Sequence, residues 1–121
     1  MYLGIISTLF GIFFILFGVA GFLPGFFDNY LLFGTFEVDK IHNIASIVIG
    51  VIALLCSTKW KADRMFFRIF GIIFGLFAIA GYVRQGDLIF THINMADNVL
   101  HFVIAVVFLV LGFSADREGQ I

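Results

Sequence analysis

Residues 3–23 form a run of 21 positions without a charged side chain or a proline, and this run constrains the fold more than any other feature of the chain. A bilayer core about 30 Å thick is crossed by about 20 helical residues rising about 1.5 Å each, so the run has the length of one crossing. The rest of the composition agrees. Hydrophobic residues fill 62% of the 121 positions and charged residues 12%, against roughly 45–50% apolar and about 25% charged in soluble domains. A chain this short has too little interior to hide so much apolar surface from water, which makes lipid the solvent.

Three further stretches approach the same length. Residues 65–83 are interrupted only by Arg68, close enough to the end to snorkel to the interface. The purely apolar segments 44–56 and 99–113 are short, but counting back about 20 residues from Ser57 and Ser114 starts their helices near Val38 and Met95. The expectation is an all-α membrane protein: one domain over residues 1–121 with four transmembrane helices. The link 58–64 is short and polar. The connection 24–37 is rich in Phe, Leu and Tyr and reads as a short amphipathic or re-entrant piece at the membrane surface, with 85–94 as its counterpart.

Basic residues set the orientation. Lys59, Lys61, Arg64, Arg68 and Arg117 fall on one side, against Lys40 and Arg84 on the other. Basic residues near span ends favour the cytoplasm, so both termini are expected there, in a multi-pass protein of the plasma (inner) membrane. Trp60 between Lys59 and Lys61 fits an interfacial anchor, as Tyr30 and Tyr82 do on the opposite face. No Lys or Arg precedes the first apolar run, which disfavours a cleaved signal peptide.

The chain reads as a duplication. At an offset of 60, residues 10–23 and 70–83 are identical at eight of fourteen positions, including Phe10, Gly11, Ala20 and Gly21 with Phe70, Gly71, Ala80 and Gly81. At an offset of 55, Asn43, Val48, Ile49, Val51 and Leu54 recur as Asn98, Val103, Ile104, Val106 and Leu109. Repeat 1 then covers residues 1–60 and repeat 2 residues 61–121, each a two-helix hairpin. Both hairpins enter the membrane in the same direction, so the repeat is parallel. Gly4, Gly11 and Gly18 recur every seven residues, and Gly71 with Gly75 forms G-x-x-x-G. Small residues at such spacing let helices approach closely in lipid. Their expected use is packing of the first span against the third, or a homodimer seam.

Three segments carry a resemblance: Gly21-Phe22-Leu23-Pro24-Gly25, then Leu32-Phe33-Gly34-Thr35-Phe36-Glu37-Val38 leading into Ile41-His42-Asn43-Ile44, then Asn94-Met95-Ala96-Asp97-Asn98-Val99-Leu100-His101. In this order they resemble a bacterial family of small four-span membrane proteins known as domain of unknown function 4383. The resemblance covers nearly the whole chain and implies topology, with no activity attached. Its pattern usually carries a second histidine after H-N-x-x, where this chain has Ser46. The repeat pairs Ser46 with His101, so a symmetric histidine pair is broken here.

The polar residues inside the predicted spans are His42, Asn43, Ser46, Asp97, Asn98 and His101. Ionisable groups within membrane spans are costly and point to a site by default. Asp97 and Asn98 also stand at a helix start, where they cap free backbone N–H groups. His101, one turn further, can donate to Asp97 or reach Asn43 or Ser46 on the second span. Three readings follow. A polar clamp tying the second and fourth spans together accounts for every residue without chemistry. A metal or haem site would draw on Asp97, His101, His42 and His92, but the chain has no H-x-x-x-H and only one cysteine, so neither metal nor cofactor is expected. A small transporter or proton-linked carrier would use Asp97 and His101 as a relay, against which no charged residue stands near the midplane of any span.

Catalysis has little support. Cys56, Ser7, Thr8 and Ser57 have no base in reach, and the histidines lie at the other end of the spans. The missing acidic residue in the middle of the first span argues against a small multidrug exporter. A formal charge of -1 argues against nucleic acid as a partner. The expected function is a structural, accessory or small-ligand-binding membrane component rather than an enzyme. Its surroundings are the lipid bilayer, with a homo-oligomer or a larger membrane complex left open.

Overall fold

Within a bilayer a chain satisfies its own backbone polar groups, and helices do so segment by segment. In a computed structural model, which describes residues 3–23, 27–28, 31–32, 36–37, 40–85 and 94–114, the apolar runs fold as four helices. They are α1 (Leu3–Ala20), α2 (Lys40–Cys56), α3 (Trp60–Val83) and α4 (Met95–Ser114). Three are long and apolar enough to cross a membrane: α1, α3 and α4. α2 is equally apolar in character but holds 17 residues.

α2 is described from Lys40, next to the start expected near Val38, and one boundary differs from the expected one. α3 begins at Trp60, five residues before the purely apolar run, so most of the polar link expected over 58–64 is its first turn. Asp63 suits that place, because a carboxylate in the first turn faces the positive end of the helix dipole. In the connection between α1 and α2 the described residues pair as strands β1 (Phe27–Asp28), β2 (Leu31–Leu32) and β3 (Phe36–Glu37), in antiparallel order β1-β2-β3. β3 lies against α4.

The helices pair as α1 with α2 and α3 with α4, and the glycines make those pairings close. A Cβ on Gly50 would stand 2.6 Å from the Gly11 carbonyl oxygen, and one on Gly11 would stand 2.9 Å from that of Gly50. The two backbones therefore touch. Gly18 meets the Asn43 carbonyl and Ile47, and Gly4 meets the Ser57 carbonyl. On the other hairpin Gly71 seats Leu109, and Gly112 seats the stem of Arg68. This corrects the expected seam: the glycines of α1 face α2, not α3. The reason is steric, since α1 and α3 meet through rings, with Phe14 stacked on Phe74 at 5.7 Å between centroids.

Phe108 is the hub of that ring core. Fully buried, it meets Phe10, Phe67 and Phe74 edge to face at 4.9, 4.9 and 5.9 Å, with Phe14 and Phe66 close by. Edge-to-face contact places the positive ring edge on a negative face, which adds to dispersion. In lipid this matters, because van der Waals packing replaces the hydrophobic drive between helices. Arg68 does not only snorkel. Its Nε donates to the Gly112 carbonyl at 2.8 Å and its guanidinium covers the Phe113 ring at 4.4 Å, serving a free carbonyl at the end of α4.

Candidate functional site

The two ends of the bundle each bury polar groups. At the end carrying the α2–α3 link, Asp63 is 1% exposed and its carboxylate meets the Ser7 hydroxyl, which also stands 3.2 Å from the Gly4 carbonyl. This contact joins α3 to α1 and so ties one hairpin to the other. Reading the sequence as a polar link hid it. The available signal was the pairing of a small hydroxyl in a charge-free span with an acid beside an apolar run.

At the other end stand the predicted residues, of which His42, Ser46 and His101 are brought to one cavity. His42, Asn43 and Ser46 come from the first two turns of α2, and Asp97, Asn98 and His101 from those of α4. All but His42, which is half-buried, are buried. Asn43 fits because Gly21 has no side chain: a Cβ there would run into the Asn43 amide. Asp97 completes a reciprocal cap. Its Oδ2 accepts the Asn94 N–H at 3.1 Å, while its own N–H donates to the Asn94 Oδ1 at 2.9 Å. Asn94 thus belongs with the site's framework, and the N-x-x-D spacing is its signal.

The cap holds Asp97 at the helix start, and His101 is set against rings. The His101 imidazole lies 5.6 Å from Phe74, 6.1 Å from Phe77 and 6.2 Å from His42, centroid to centroid. Its Nδ1 is buried and has no hydrogen-bond partner among the described residues, and the same holds for Oδ1 of Asn43 and of Asn98. A buried polar atom left so costs roughly 1–3 kcal/mol.

Beside these groups lies a cavity of about 100 Å³ between the hairpins. His42, Ser46 and His101 supply its polar wall, and Phe13, Phe14, Phe17, Phe74 and Phe77 its aromatic one. Towards the Asp63 end, Phe66, Phe67 and Phe108 fill the core. Among the described residues no three of His, Cys, Asp and Glu come together to hold a metal ion. His92, drawn on for the metal reading, lies outside the described residues, as do Tyr30 and Arg117.

Long apolar helices around a ring core, with a polar-walled cavity at one end, define a helical membrane protein. The family model described as Domain of unknown function (DUF4383) matches residues 5–114, and the chain belongs to that family. No curated protein and no solved structure matches it.

Proposed function

We propose that the chain is a four-crossing plasma-membrane protein that binds a small molecule in the cavity between its hairpins and carries out no chemistry of its own. The observation behind this reading is His101, more than nine-tenths buried, lining the cavity with an Nδ1 that no group among the described residues satisfies. A clamp would spend that imidazole on a neighbouring helix. A ligand site leaves it free for the guest.

The topology follows from charge and length. α2, at 17 residues, stands at the lower limit of about 17–25 for a crossing. Lys59, Lys61, Arg64 and Arg68 gather around one end, which supports cytoplasmic termini and a cavity towards the outside. The hairpins are read as copies of one unit. In support, Gly11 seats Leu54 and Gly71 seats Leu109 at the same 2.9 Å, at positions that the two offsets equate. Phe14 and Phe74, another equated pair, stack on each other. Gly4, Gly11, Gly18 and Gly71 are covered within the hairpins, so a second copy or a larger complex would dock on other faces.

His101→Leu tests the reading. Replacing an unsatisfied buried polar group by an apolar one of similar size is near neutral or stabilising. Unfolding of the variant in detergent is therefore expected within about 1 kcal/mol of the parent, or above it. A loss of more than about 2 kcal/mol would show that the imidazole ties helices together, and the clamp reading would replace this one.

A further inference from the structure

The cavity has a neighbour on its lipid side. Phe13, Leu100 and Ile104 line both it and a second, wholly apolar groove of about 470 Å³ between α1 and α4, completed by Leu9, Val103 and Val107. α1 and α4 meet through the rings of Phe10, Phe14 and Phe108, and the groove runs along the lipid-facing side of that contact. Val103 is half exposed and Leu9 more so. Phe13, Leu100 and Ile104 thus stand between the groove and the histidine-lined cavity, and a guest from the bilayer would pass between these side chains without leaving the membrane.

We infer that the site takes a lipid whose head is one uncharged planar ring bearing a hydrogen-bonding oxygen, of the quinone or phenol class, with its tail in the groove. This rests on the ligand-site reading above and adds the chemical class. Size gives the first argument. An apolar cavity of about 150 Å³ takes benzene, so about 100 Å³ open on one side suits a single six-membered ring and not a larger system. The walls give the second, since Phe17, Phe74 and Phe77 offer ring faces and edges to a flat guest. Polarity gives the third. The polar lining consists of two imidazoles and the Ser46 hydroxyl, which serve an oxygen as donors. Among the described residues the lining contains no Lys or Arg, so a phosphate or carboxylate head would be buried there without a permanent countercharge. The wholly apolar groove suits an alkyl or prenyl tail and no polar one.

4-Decylphenol, phenol itself and decanoic acid serve as probes on the purified chain in detergent, followed by ligand retained on gel filtration. 4-Decylphenol is expected to saturate at one per chain and to resist displacement by decanoic acid. His101→Leu should weaken it about ten-fold, the loss of one hydrogen bond. Val103→Trp, which fills the groove from its lipid side, should weaken 4-decylphenol by a similar factor and leave phenol unaffected. Unchanged 4-decylphenol binding in Val103→Trp would overturn the groove. Displacement by decanoic acid would overturn the uncharged head. If neither phenol saturates, the inference fails, while the ligand-site reading still stands or falls by the stability of His101→Leu.

Discussion

Replacing Gly50 by leucine is expected to remove more than about 3 kcal/mol of stability, enough that little folded protein is recovered. The obstacle is backbone. A Cβ at this position stands 2.6 Å from the Gly11 carbonyl oxygen and 2.9 Å from the Ile15 amide nitrogen, and neither atom moves without separating α1 from α2. Separation costs the dispersion that holds two helices together in lipid. Gly75→Ala is the control. Its Cβ would lie 3.7 Å from that of Ala105, an ordinary contact, and alanine favours the helix by up to about 1 kcal/mol. Unfolding in mixed micelles should show the first variant collapsed and the second equal to the parent or better. Equal losses at the two positions would contradict the packing.

Phe108→Ala is the second large effect. Its ring touches five others drawn from both hairpins, so its removal opens a space on the order of 100 Å³, and about 24 cal/mol per Å³ gives about 2.4 kcal/mol. The transfer part of the usual penalty is small here, because the unfolded reference is also in an apolar medium. Phe102, six residues earlier and 62% exposed to lipid, makes the comparison. Phe102→Ala should cost less than about 0.5 kcal/mol. Similar losses for both would mean that the rings contribute by bulk hydrophobicity rather than by fit.

The sequence and the structure agree where physics is local and part where it is not. Four helices were legible because a charge-free run such as residues 3–23 admits few other states in lipid. The polar set His42, Asn43, Ser46, Asp97, Asn98 and His101 was legible because charge and amide are rare and costly in such spans. Partner choice was not. Gly4, Gly11 and Gly18 announce a close approach without naming the helix that approaches, and it is α2 instead of α3. Gly50, which meets Gly11 backbone to backbone, has no glycine four or seven residues away on α2 and gave no periodic signal. Asp63 looked like a solvated link residue because its burial depends on Ser7, 56 positions earlier. The short strands over 27–37 were unreadable because two-residue pairings leave no alternation to detect.

His101 shows the same limit at the site. Its spacing from Asp97 promised a pair on one helix face, yet the N-x-x-D cap engages the carboxylate and the ring turns to Phe74 and Phe77. That difference moves the account from clamp to ligand site.

The central claim is that two hairpins enter the membrane in the same direction, with the short α2 crossing fully. Single cysteines introduced at Asn29, Thr58 and Thr91, in a chain with Cys56→Ser, test it directly. A membrane-impermeant thiol reagent added to intact cells is expected to label the cysteines at Asn29 and Thr91 and to leave that at Thr58 untouched until the membrane is opened. Labelling of Thr58→Cys from outside, or opposite behaviour of Asn29→Cys and Thr91→Cys, would contradict it.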